Sequence, residues 1–216
     1  NNLAVAVFGW TVHHRAFLVD YWRFEGDCLS LESDPWAKLK DLIYNKVYIA
    51  EDGKKYRIQL TLIDSGYAQS TVFEFCNKTD GTLPIKGLPD VQKGSSNKEF
   101  KEVTSPMGTT VFNINVNFYK DRWQASLKRP WDKDGTQQEF CFNVPTDVTE
   151  KQLKELTVET RVEDFNPVTN AFRGFKWNRA PSADNELWDL IGYNNAAVDI
   201  IAHDVSKRAG RKDVNW

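Results

Sequence analysis

The sequence predicts an α/β domain, a mixed sheet flanked by helices with an inserted β-hairpin. Three stretches predict it. Residues 3–10 are almost wholly apolar, as in a strand buried on both faces. The apolar run Ile58, Leu60, Leu62, Ile63 stops abruptly at Asp64-Ser65-Gly66-Tyr67. Val72, Phe73, Phe75 and Cys76 then follow at helical spacing, giving strand, sharp turn, helix. Towards the other end, residues 182–186 lead into a helix to about His203. Its inner face carries Leu187, Leu190, Ile191, Asn194, Val198 and Ile201.

The elements follow in order. Residues 3–10 and 16–24 should form an antiparallel hairpin around the 11–15 turn. His13-His14 sits at its tip, where adjacent histidines are usually solvated. Asp34 reads as a helix cap and Pro35 as the first helical position, with Trp36, Leu39, Leu42 and Ile43 as the apolar stripe. The helix between the first strand and the Asp64 strand suggests that these two strands run parallel. Residues 82–86 read as a short strand, and 88–107, polar and without periodicity, as a loop. Residues 111–118 alternate strictly, and 122–127 and 139–144 also read as strands, with Lys133-Asp134-Gly135 as a turn. Thr149 caps a short helix. Residues 157–163 and 172–177 read as paired strands around Asn166-Pro167. Residues 207–216 are basic and polar, a tail expected to fray.

Composition bounds the function. The 216 residues are 27% charged and 41% hydrophobic, which suits one domain with a sizeable core, extending over 1–216 with inserted loop and hairpin elements in 88–180. The net charge of -2 excludes a global pull towards nucleic acid or acidic membrane, so a polyanion partner must use a local basic patch or a metal ion. Cys28, Cys76 and Cys141 form no CxxC pair and no zinc spacing, and read as reduced core thiols of a cytosolic protein. No signal peptide, membrane-length apolar run or P-loop motif is present.

Asp64 falls at the carboxyl end of a strand, the rim where α/β folds place ligands, although an acid there also serves to cap the next helix. Asp189 lies one turn into the last helix, with Glu186 three residues before it on the same face. Glu186 suits the helix dipole. Asp189 lies deeper, among core-type residues. Two such carboxylates, one at a strand end and one on a helix packed across the sheet, can converge on hard divalent cations. Paired ions roughly 3.5 to 4 Å apart activate water and stabilise the leaving oxygen in phosphodiester hydrolysis. A third acid is normally needed, and residues 1–10 offer none.

Several pieces together resemble the nuclease domain of the large terminase subunit of tailed bacteriophages, in the lambda-like branch. They are the strand at 3–10, Phe17-Leu18-Val19-Asp20-Tyr21 with Gly26-Asp27, Trp36 and Leu39, Ile63-Asp64-Ser65-Gly66-Tyr67, Ile85-Lys86-Gly87, and Asn185-Glu186-Leu187-Trp188-Asp189 with Tyr193 and Ala196-Ala197. The resemblance covers most of the chain, more loosely from 88 to 172. It implies an RNase H-like fold and an endonuclease that uses two Mg2+ or Mn2+ ions to cut concatemeric double-stranded DNA during genome packaging. Asp64 and Asp189 would be metal-binding acids and Glu186 adjacent support, while the family's first acid would lie a few residues before Asn1. The resemblance further implies a packaging ATPase domain N-terminal to this one, the terminase small subunit and the portal protein as partners, no membrane, and the host cytoplasm as location.

On that fold, strands 111–118 and 122–127 would form the inserted hairpin, with Lys120, Arg122, Lys128 and Arg129 at a basic end that meets DNA or is merely solvated. Lys86 stands at a strand end near the site and is a candidate phosphate contact. An alternative is a non-catalytic RNase H-like module that docks DNA or a portal-like partner. A resolvase or transposase core fits the two acidic motifs less well.

Overall fold

The computed structural model describes residues 2–89, 99–129 and 139–208. Strands β1 (Asn2–Trp10) and β2 (Ala16–Glu25) form the expected antiparallel hairpin, with a register shift between Val7 and Phe8. The two-residue strand β9 (Phe142–Asn143) joins β2 in parallel at Ala16 and Phe17, so the strand expected over 139–144 is much shorter. Helix α1 (Asp34–Asn45) follows. Ser33, not Asp34, takes the cap position, and Asp34 instead enters the first turn and pairs with Lys38. Trp36 donates its indole N–H to the Cys28 carbonyl at 3.1 Å, and its ring packs with Leu39, Leu42 and Ile43 against Ile63, Val72 and Phe75. A small hairpin, β3 (Tyr48–Ile49) and β4 (Lys55–Tyr56), leads to β5 (Thr61–Asp64) and α2 (Gln69–Lys78).

Strand β5 pairs in parallel with β6 (Thr82–Leu88), which pairs in parallel with β8 (Thr110–Asn115). β7 (Phe100–Thr104) completes this sheet antiparallel to β8, in the order β5-β6-β8-β7. The 88–107 region is thus not all loop. Its polar side chains hide an edge strand, two of whose five residues are exposed. Among the described residues β5 does not pair with β1, which belongs to the separate sheet β1-β2-β9. The two strands expected to run parallel thus lie in different sheets among the described residues.

The predicted hairpin over 111–127 is replaced by strand β8 and helix α3 (Val116–Leu127). Asn115 ends the alternation, because its side-chain oxygen accepts from the Phe118 N–H at 3.0 Å and caps a new helix. Tyr119 and Trp123, four residues apart and fully buried, mark the inner face of that helix. The expected turn at 133–135 lies outside the described residues. Helix α4 (Glu150–Glu155) opens with a capping box between Thr149 and Gln152. β10 (Thr160–Phe165) and β11 (Phe172–Asn178) form the hairpin expected around Asn166-Pro167. Helix α5 (Glu186–Arg208) closes the structure, and beyond it the tail at 209–216 lies outside the described residues.

The architecture is mixed α/β, with sheets flanked by helices. Leu187, Trp188 and Ile191 of α5 pack with Leu18, Trp123 and Leu156, while Ala196 and Ile200 pack with Ile85, Ile114 and Tyr119. The last helix therefore lies across both sheets. The three cysteines are unpaired, with Cys28 and Cys141 buried, as expected of core thiols. Among the described residues no helix is long and apolar enough to cross a membrane.

Candidate active site

Asp64 is the last residue of β5 and faces solvent. Ser65 turns inward: it is buried, and its backbone N–H and its hydroxyl both donate to the Ile85 carbonyl, at 2.8 and 2.7 Å. That double anchor fixes the strand end on β6 and leaves the Asp64 carboxylate projecting from the rim. Gly66 donates its N–H to Asp64 Oδ1 at 3.0 Å, with nothing on its own Cα to crowd the carboxylate. Tyr193 of α5 donates its hydroxyl to Asp64 Oδ2 at 3.2 Å. Burial, then Asp64 and then Asp189, push the Tyr193 phenol far above its ordinary value, so it stays protonated and serves as a donor. Gly87 of β6 passes beneath it. A Cβ there would meet Val116 Cγ1 at 2.8 Å and Tyr193 Oη at 3.7 Å.

Asp189 lies one helical turn before Tyr193 on α5, and is half-buried. Its Oδ1 pairs with Lys120 Nζ at 2.9 Å, and its Oδ2 accepts from the Asn185 side-chain amide at 2.8 Å. Lys120 also donates to both oxygens of Glu159, each at 2.9 Å, and the Asn185 amide reaches Glu159 Oε1 at the same distance. Glu159 is only 4% exposed and Lys120 13%. Burial raises the Asp189 carboxyl above its ordinary value. Lys120 opposes that rise, and Glu159 and Asp64 reinforce it. Tyr193, which bonds Asp64, lies one helical turn from Asp189, and both acids line the same cavity.

With this geometry in place, comparison with known proteins identifies the chain. The family described as the terminase large subunit gpA endonuclease domain matches residues 1–212. The chain belongs to this family. No curated protein and no solved structure matches it. As a terminase large subunit endonuclease domain the chain has DNA as its substrate.

Glu186 lies at the mouth of the site. Burial of part of its carboxyl raises its pKa; Arg23 opposes this and Asp189 adds to it. Lys86 is exposed, beside Gly87 on β6. Lys120 is not at a hairpin tip but inside the acid network. Arg122 pairs with Asp199 at 2.7 Å, ten residues further along α5 than Asp189. His203 packs edge-on against Phe100, away from Asp64. His13 pairs with Glu139, and His14 stacks on Phe140.

Sequence reasoning missed Tyr193, Glu159 and the acid partnership of Lys120. Tyr193 had a local signal, since it lies four residues after Asp189 on the same helix. Glu155 was missed too. It is 3% exposed, accepts from Tyr21 and Arg23, and receives the Leu187 N–H at 3.3 Å, satisfying a free donor in the first turn of α5.

The donor chemistry of Asp64 and Asp189 suits a hard cation, because both are carboxylates. Among the described residues no group of three or more His, Cys, Asp or Glu side chains is arranged to hold a metal. The terminase domain thus presents two oxygen-donor acids at one rim, each already oriented by a neighbour.

Proposed function

We propose that this domain cuts concatemeric double-stranded viral DNA by divalent-metal-dependent phosphodiester hydrolysis at the Asp64–Asp189 rim. The observation that carries the reading is that Asp64, bonded by Tyr193, and Asp189, one helical turn from Tyr193, line one cavity in a member of the terminase endonuclease family. A pair of Mg2+ or Mn2+ ions would supply a Lewis acid and a water of lowered pKa. Asp64 and Asp189 would hold them, together with an acid that the family resemblance places before Asn1.

Tyr193 and the Gly66 N–H fix the rotamer of Asp64. Lys120 and Asn185 fix Asp189, and Glu159 holds Lys120 in place. Such outer contacts set the direction in which a ligand oxygen points. Glu186 adds negative charge at the mouth. Lys86, exposed beside the site, is the phosphate contact that positions the backbone without reading sequence. The near-neutral charge gives weak, salt-sensitive DNA binding by the domain alone, with the ATPase domain, the small subunit and the portal supplying the rest in the host cytoplasm.

The test is nicking of supercoiled plasmid in Mn2+, Mg2+ or EDTA by the chain carrying its natural upstream residues. The expected result is metal-dependent nicking that Asp64→Asn and Asp189→Asn each abolish. Folded protein that binds DNA but never nicks, with both variants binding equally, would move the reading to a non-catalytic docking module. The absence of a three-acid group among the described residues is the observation that favours that second reading.

A further inference from the structure

The sheet β5-β6-β8-β7 has two faces, and its pairing register fixes which side chains share each one. Ile63, Pro84, Val111 and Val103 form one row across the four strands. Ile63 packs on Val72 and Phe75 of α2, and Pro84 and Val111 are buried as well. Two residues further towards the carboxyl ends of β6 and β8, on the same face, the row changes character. Lys86 stands opposite Asn113, and Asn113 opposite Lys101. Lys86 is exposed, and Asn113 and Lys101 are half-buried. An apolar row beneath a helix thus gives way to lysine, asparagine and lysine on three adjacent strands, and these three include no acid. Glu99 comes two residues before Lys101. The groups that act on its carboxyl are Asp199 of α5 and Arg122 of α3, on the other side of the sheet.

The row starts at the proposed metal rim. Lys86 directly follows Ile85, the partner of Asp64. Asp64 belongs to the α5 face, because Ile85 packs with Ala196 and Ile200. As the last residue of β5 it nevertheless opens to both sides. Gly66, in the turn into α2, bonds its Oδ1, and Tyr193 of α5 bonds its Oδ2.

Two ordinary reasons for such lysines do not account for the row. A lysine on an edge strand blocks unwanted pairing. That covers Lys101 alone, since β6 and β8 are inner strands. A lysine inside a sheet also answers an acid directly across from it. Here the residue across from both lysines is Asn113, a neutral amide.

We infer that Lys86, Asn113 and Lys101 form one track for the DNA backbone, running from the Asp64 rim across β6 and β8 to β7, so that the bound duplex lies across the strands. Neighbouring strands are about 4.8 Å apart, which sets Lys86 and Lys101 about 10 Å apart at the backbone. Over that length each strand of a duplex carries about three phosphates. Lysine meets a phosphate as a point charge and the asparagine amide as a hydrogen-bond donor, and neither reads a base. A chain with a net charge of -2 needs such a local concentration of positive charge to hold a polyanion. The track rests on the reading of Lys86 as a phosphate contact at the nuclease site, and it adds two residues and a direction to that reading.

The experiment is binding of the 216-residue chain to a labelled duplex, followed by fluorescence anisotropy in EDTA over a range of salt concentrations. Each lysine–phosphate contact contributes about 0.9 to the slope of log affinity against log salt. Lys86→Gln and Lys101→Gln should each lower the slope by about 0.9, and the two together by about 1.8. Lys101→Arg should keep it. Asn113→Ala should weaken binding and leave the slope unchanged, because an amide releases no counterion. Lys78→Gln, at the far end of α2, is the control and should change neither. Melting curves that superimpose on that of the unchanged chain show each variant folded. The inference is overturned if Lys101→Gln keeps the full slope, or if Lys78→Gln lowers it as much as Lys101→Gln does. It is also overturned if the unchanged chain binds no duplex at low salt. No cleavage is read out in EDTA. Loss of slope in a chain that never nicks would sink the nuclease reading and leave the track. Nicking that needs Asp64 and Asp189, with the slope of Lys101→Gln intact, would do the reverse.

Discussion

Tyr193 and Lys120 do for the two acids what neither acid does for itself. Tyr193→Phe keeps the ring in its buried seat and removes only the bond to Asp64. Loss of an outer-shell partner of this kind costs about 10- to 100-fold in metal affinity or activity. We expect weaker Mn2+ binding by calorimetry with an unchanged melting temperature.

Lys120→Met should behave differently, because it strands Glu159 in the interior with only the Asn185 amide beside it. Breaking a buried ion pair from one side costs about 3–5 kcal/mol, and the double change Lys120→Met with Glu159→Gln should recover much of that in urea unfolding.

The pH dependence follows from Asp189. Its pKa is raised, so it keeps its proton at a pH where an ordinary aspartate has lost it, and a protonated carboxyl is a lost ligand. Mn2+ affinity should therefore decline on acidification from above the usual aspartate value of about 3.9, earlier than for an unperturbed site. A titration by calorimetry that stays flat down to that value would contradict the assignment. The strand-end place of Asp64 and the helix place of Asp189 were legible in the sequence because strand ends and helix faces are local patterns. The Lys120–Glu159 pair was not, since nothing local marks which acid, 39 residues away, a lysine will meet.

At the scale of elements, α3 is the lesson. Alternation over 111–118 is a real strand signal, but the strand stops at Asn115, whose side chain caps a helix. Asn115→Ala should cost about 1 kcal/mol, the usual worth of such a cap, measured by denaturant unfolding. The competing helical signal was the four-residue spacing of Tyr119 and Trp123, which an alternating pattern upstream obscures.

Gly87→Ala tests how β6 fits under α3. The new Cβ would press on Val116 Cγ1, and Val116→Ala in the same chain should relieve the loss. The hairpin β10–β11, by contrast, was readable, because Asn166-Pro167 is a turn signal between two strand-like runs.

At the scale of the molecule, α5 holds the two sheets in one body. Trp188 is 2% exposed and packs against Trp123 and Trp177. Trp188→Ala should destabilise the whole domain by about 3–5 kcal/mol and loosen both sheets together in hydrogen exchange. The sequence by itself determined the α/β class, the first hairpin, the Asp64 turn and the acidic start of the last helix. Each is written in periodicity or turn chemistry over a dozen residues or fewer. Only the tertiary structure decided that among the described residues β5 pairs with β6 and not β1, and that Tyr193 meets Asp64 across 129 residues. Those outcomes depend on which apolar faces cover one another. An apolar run records that it will be buried, but not against what.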